Sequence, residues 1–207
     1  MLSMNFERLE ALAYRTMGKR KSHVEREIGH VYFHGKRVSN SVLLLRKKIF
    51  PEDASHDEIL RCAGLFHDVG KGIEPHARTG TVLARELLKE ELTESELNAV
   101  CEIISVHDDR HPEDDRYSPW IKLLQDADHL DHFGSQGLWL SFTYRAYMGQ
   151  KDMTELPAFY ESEWDESIPR TRSHLNFDLS RKIFDEKVKY ERDAIRRLKL
   201  ESEGFYI

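Results

Sequence analysis

A chain of 207 residues is long enough for one domain with a sizeable core, and 40% hydrophobic with 33% charged residues is ordinary for a helical protein and too polar for an integral membrane one. No apolar run approaches the roughly 18 residues of a membrane span, and residues 1–8 lack a basic region leading into an apolar one, so no secretory signal is expected. A net charge of −6 argues against nucleic acid as a partner, and Cys62 and Cys101, both in apolar helix-like settings, read as reduced thiols of a cytoplasmic protein.

Phe6, Leu9, Leu12, Ala13 and Met17 recur at helical spacing, and Lys19-Arg20-Lys21 reads as the end of that helix and a loop. Val31, Val38, Val42, Leu45 and Ile49 mark a second helix from about His30 to Phe50, which carries His34 and stops at Pro51. Ser55-x-x-Glu58 has the pattern of a capping box, opening a third helix through Ile59, Cys62, Ala63 and Phe66. That helix runs into His67-Asp68, and Gly70 and Gly72 end it, so the pair leaves one helix end together. Pro75 precedes a fourth helix from His76 through Leu88. Thr93-x-x-Glu96 caps a fifth through Leu97, Val100, Cys101 and Ile104, with His107 in step and an acidic turn from Asp108 to Tyr117.

Ser118-Pro119 resembles an N-cap followed by proline at the first helical position. It launches a segment to about Tyr147, in which Gly134 and Gly137 predict a break or a close helix contact. Residues 149–176 hold Pro157 and Pro169 without a clear period, so a surface excursion is expected. Leu179, Ile183, Phe184, Val188, Ile195 and Leu198 then mark a terminal amphipathic helix over 177–200. With no strand run or repeat in view, the expectation is one all-α domain over 1–207, its core at about 24–148, built as a bundle of roughly six to eight helices.

The imidazole and carboxylate of His67-Asp68 form a mixed donor set that suits a divalent ion such as iron, manganese or zinc, and Lys71 adds a cation beside it. Metal sites in helical bundles collect inward-facing side chains from several helices. That nominates His34, His67, Asp68, His76, His107 and Asp128. Each histidine has a plainer alternative: His34 as a hydrogen-bonded core residue, His76 as the opening of its helix, His107 as the cap of its own helix end. At 100° per residue, Trp120, Leu123, Leu124, Ala127 and Leu130 define the buried face of the sixth helix. Asp126 is then expected to point away from that face, Asp128 to lie on its flank and Asp131 near its centre. A buried carboxylate needs a metal or a donor, so Asp128 is read as the ligand and Asp131 as a supporting residue or reserve base.

The order His34, His67-Asp68, His107, Asp128 resembles the HD superfamily of metal-dependent phosphohydrolases, whose pattern is H…HD…D. Leu65 to Lys71 looks like its HDxGK variant, His34-x-x-Arg37-Val38 like its first histidine helix, and Asp126 to Asp131 like its closing aspartate segment. Gly134-x-x-Gly137 and the charged terminal helix are similar to small bacterial members that cleave nucleotide phosphates. The resemblance covers roughly residues 24 to 200 and implies an HD-domain helical bundle. It also implies a divalent ion (Mn, Fe, Mg, Co, Ni or Zn) on His34, His67, Asp68 and Asp128. Members with extra histidines hold a second ion, which here would use His76 and His107 with Asp68 bridging. The implied reaction is hydrolysis of a phosphate ester or anhydride in a small phosphorylated substrate, a nucleotide. Lys71 and Arg37 would neutralise charge on the phosphoryl oxygens, and Asp108 or Asp131 would shuttle the proton. Two readings from other classes stand beside it: a two-iron oxygenase of the same superfamily, and a metal-containing ligand-binding module that turns nothing over. No oligomeric state follows from these residues.

Overall fold

A computed structural model describes residues 4–112, 115–149 and 154–205. Residues 113–114 of the acidic turn and 150–153 of the expected excursion lie outside the described residues. Among the described residues the regular structure is helical throughout: α1 (Phe6–Met17), α2 (His30–Ile49), α3 (Asp57–Phe66), α4 (His76–Leu88), α5 (Glu94–Ser105), α6 (Pro119–Asp131), α7 (Ser135–Tyr147), α8 (Glu155–Phe159), a π-helical turn (Tyr160–Trp164), α9 (Asp165–Ser173) and α10 (Asp178–Ser202). No helix among them is long and apolar enough to cross a membrane. The all-α expectation holds. The chain forms two compact units, Met1–Asp128 and His129–Ile207, with the boundary inside α6.

In the first unit α2 packs along α3, α5 against both α3 and α4, and α1 against α2 and α3. Val38, Val42, Leu60, Ala63, Phe66, Ala84, Leu88, Val100, Ile104, Leu123 and Leu124 are fully buried between them. The approach of α2 to α3 is set by two glycines. A Cβ on Gly35 would lie 2.6 Å from the Leu65 carbonyl oxygen, and one on Gly64 would lie 2.8 Å from Ser39 Cα. Backbone meets backbone there, and Ser39 Oγ donates to the Arg61 carbonyl across the same seam. His34, next to Gly35, is thereby brought against His67, three residues past Gly64.

Two local expectations part company. Thr93 and Glu96 form the full capping box of α5, each side chain bonding the other's backbone N–H. The Ser55 box does not form: α3 begins at Asp57 with His56 at its N-cap and no side-chain cap. Ser55 instead donates its N–H and Oγ to Asp53 Oδ1, a nearer acceptor, and Glu58 accepts the Met4 N–H. Asp126 is also a correction, since it is fully buried rather than turned away from the core. Ile121 and every residue from Leu123 to Asp128 are buried, so this part of α6 has no outward face for Asp126 to occupy. Gln125, equally buried, bonds the carbonyls of Val106 and Asp109.

In the second unit Gly134, with φ of 75°, ends the run from α6 and starts α7, the break predicted there. Residues 155–173 are a correction to the expected surface excursion, because they are helical and bury Leu156, Tyr160, Trp164 and Ile168. These four recur every fourth residue, as a helix face requires. Pro157 sits in the first turn of α8, where its missing N–H costs no intrahelical bond. The prolines masked the period. α10 packs against α7 and α8 and carries Glu191, a buried carboxylate that accepts from Gly134 N–H and, at 2.9 Å, from the Tyr160 hydroxyl. Gly137 leaves room for it, since a Cβ there would lie 2.7 Å from Glu191 Oε1. Burial pushes the Glu191 carboxyl up to about 7 against the pull of those two donors and Lys187.

Candidate metal centre

Three buried side chains from three segments converge in the first unit: His34 on α2, His67 just past α3 and Asp128 on α6. His34 Nε2 lies 3.1 Å from His67 Nε2 and 3.0 Å from Asp128 Oδ1, and His67 Nε2 lies 3.5 Å from the same oxygen. His67 Nδ1–H donates to the Gly64 carbonyl at 2.9 Å, so the Nε2 that faces the cluster carries a lone pair. A single proton can bridge only one of these pairs. A divalent ion bonded at about 2.0–2.2 Å to each would satisfy all three, and the observed spacings suit that. Asp68 Oδ2, at 3.9 Å from His34 and 4.0 Å from His67, is the next donor within reach.

The other oxygen of Asp68 looks toward a second group, His67, Asp68 and His107, whose ligand atoms also lie close enough to share an ion. Asp68 Oδ1 is buried and makes no hydrogen bond among the described residues, the signature of an oxygen that wants a cation. His107 Nε2 is 3.5 Å from it, with Nδ1–H anchored to the Ile104 carbonyl at 2.8 Å. Both anchored imidazoles therefore bond a carbonyl three residues upstream, which fixes ring and tautomer before any ligand arrives. His76 Nε2 is 3.6 Å from Asp68 Oδ1 and 3.6 Å from Asp108 Oδ2, but joins neither group.

Electrostatics agree with this geometry. Burial alone would raise the Asp68 carboxyl, yet His67, His107, Lys71 and His34 hold it well below the usual carboxylate range. Asp128 is buried too, and the imidazoles of His34 and His67 with the charge of Arg110 hold it likewise low. Burial opposes charge on His107, but Asp68 and Asp128 raise its affinity for a proton overall. Negative charge is retained in a desolvated place, as a cation site needs.

Of the remaining residues singled out from sequence, Lys71 Nζ lies 3.5 Å from Asp68 Oδ1, and Arg37 is half-buried on α2 one turn beyond His34. Asp108 is half-exposed beside His76, and Asp131, the last residue of α6, belongs to the second unit. Two arginines escaped the sequence reading. Arg110 Nη2 donates to Asp128 Oδ2, so the guanidinium holds one oxygen while the other faces the histidines. Arg20 donates to the Val69 carbonyl at 2.7 Å and the Lys71 carbonyl at 3.3 Å, clamping the turn that follows His67-Asp68. Only the position of Arg110, three residues past His107, offered a hint.

Comparison with known proteins follows the same residues. The family model for the HD domain matches residues 31–132, and a comparison with curated proteins finds no match. An HD-superfamily hydrolase from Bacillus thuringiensis is 23% identical over 95% of this chain and 96% of its own, with a TM-score of 0.67. A predicted HD-superfamily hydrolase from an uncultured Thermotogales bacterium is 17% identical over 96% and 93%, with a TM-score of 0.64. YpgQ of Bacillus subtilis in complex with ADP is 19% identical over 93% and 97%, with a TM-score of 0.63. At these identities the structures speak to the fold, whereas the matched segment contains His34, the His67-Asp68 pair, His107 and Asp128. Residues 31–132 of the chain form an HD domain.

Proposed function

We propose that this protein is a metal-dependent phosphohydrolase that cleaves a phosphate ester or anhydride bond of a small phosphorylated molecule, a nucleotide. The observation that carries the proposal is the convergence of His34, His67 and Asp128 around one buried point, with Asp68 Oδ2 at 3.9 Å from His34 and 4.0 Å from His67. The ADP bound by YpgQ, a protein of similar fold, supports the nucleotide. These four residues would hold a divalent ion, which when bound acidifies water and polarises a phosphoryl oxygen.

The chain's own groups do the rest. Gly64 and Arg110 keep His67 and Asp128 aimed inward. Lys71 and Arg37 offer positive charge to the phosphoryl oxygens as negative charge grows on them. Asp108, half-exposed near His76, is the favoured proton carrier; Asp108→Asn should then lower kcat on the order of 10²–10⁴-fold. Two buried, unpaired thiols, Cys62 and Cys101, go with a cytoplasmic setting.

The test is a screen of nucleotides and simple phosphoesters with Mn, Mg, Co, Ni and Fe, reading release of phosphate or pyrophosphate. Metal-dependent turnover that vanishes in Asp68→Ala is expected. Metal uptake with no phosphate bond broken would make the protein a binding module, and oxygen consumption by a coloured iron form would make it an oxygenase.

A further inference from the structure

Asp68 Oδ1 has three nitrogens around it: His107 Nε2 at 3.5 Å, His76 Nε2 at 3.6 Å and Lys71 Nζ at 3.5 Å. Two are imidazoles with their other nitrogens engaged. His107 Nδ1–H donates to the Ile104 carbonyl, and His76 Nδ1–H to Glu74 Oε2 at 3.1 Å, so each turns a lone pair inward. This second oxygen of a carboxylate whose other oxygen faces His34 and His67, together with two such imidazoles, is a donor set for a second ion. The third nitrogen opposes it. Lys71 Nζ is also 3.4 Å from His76 Nε2, so the ammonium presents its protons to the lone pair and the oxygen that a second ion would need.

The ammonium is delivered there by a braced turn. Lys71 N–H donates to the Asp68 carbonyl at 2.9 Å, and Arg20 holds the carbonyls of Val69 and Lys71. Lys71 is less exposed than a free surface lysine, with 29% of its side chain accessible. A dication and an ammonium of like sign cannot share one oxygen and one imidazole in a partly buried place. His107 joins a metal-capable group with His67 and Asp68, whereas His76 stands outside it with Lys71 Nζ 3.4 Å from its Nε2.

We propose that Lys71 is an internal cation standing in the second metal position, leaving a one-ion site on a set of histidines suited to two. This inference rests on the phosphohydrolase reading and replaces the second ion that the family resemblance implied. Its chemical consequence is that the second positive charge meets a phosphoryl oxygen as a hydrogen-bond donor carrying no water. Lys71 thus belongs to substrate recognition rather than to nucleophile generation.

The test counts ions rather than turnover. Full-length protein is loaded with excess Mn2+, desalted and assayed for metal per chain, with positions read by anomalous scattering. Wild type and Lys71→Arg should hold one ion. Lys71→Ala should hold two, and adding His76→Ala to it should return the count to one. Circular dichroism and thermal melting check the fold, and Lys71→Gln serves if the alanine variant is unstable. Two ions in wild type, or one in both Lys71→Ala and Lys71→Gln, would overturn the proposal while leaving the phosphohydrolase reading in place. No bound ion in wild type would remove that reading, and the proposal with it.

Discussion

Arg110 holds Asp128 by one oxygen while the other faces His34 and His67, so the guanidinium decides where that carboxylate points. Truncating a partner of this kind typically weakens metal binding roughly 10–100-fold. Arg110→Ala should therefore bind Mn2+ more weakly by that factor in calorimetric titration, with Arg110→Lys recovering part of the loss. Asp68→Ala should lose bound metal altogether while circular dichroism stays that of a helical protein, because Asp68 faces the cluster rather than a core contact. Asp128→Asn and Asp126→Asn separate the proposed ligand from a buried carboxylate two residues away. The first should abolish turnover, and the second should keep metal but lose on the order of 1–3 kcal/mol of stability in denaturant titration, since Asp126 is fully buried. At this scale the sequence nominates His34, His67, Asp68 and Asp128 because few residue types make a metal donor set, and all four are buried. Arg110 was not legible there, because an arginine in an acidic turn looks like surface charge until tertiary structure brings it to Asp128.

Helices were legible where their period was uninterrupted, and α1, α2, α4, α5 and α10 lie within a residue or two of where the apolar spacing puts them. The two serine and threonine boxes show what local pattern leaves out. Thr93 and Glu96 bond each other and form the box, whereas Ser55 is captured by Asp53. Thr93→Ala should accordingly cost about 1 kcal/mol of stability by chemical denaturation, while Ser55→Ala should leave the start of α3 unchanged. In 155–173 two prolines hid a stripe that packing reveals. The Gly35–Gly64 seam connects element to site: Gly64→Ala would drive a Cβ into the Ser39 backbone. We expect a loss of roughly 1–3 kcal/mol and weaker Mn2+ binding in the same variant, because separating α2 from α3 separates His34 from His67.

For the molecule as a whole, the two units answer to different solution variables. Glu191 binds its proton more tightly in the folded second unit, at about 7, than at its ordinary value of 4.5. The folded state therefore takes up a proton between those values, and stability is fully present below about 4.5 and falls as pH rises through about 7. The full swing is on the order of 3 kcal/mol. Hydrogen exchange over α7 and α10 should quicken between pH 5 and pH 8 beyond its chemical pH dependence, and Glu191→Gln should remove that excess. On the proposed reading the first unit instead answers to metal. His34 and Asp128 are 94 residues apart in the chain yet meet at one point, so only the folded first unit assembles the whole donor set. An ion at a hundred times its Kd would deepen that fold by about 2.7 kcal/mol. Wherever proteases sample open chains, the supply of that metal would then set how long each copy survives.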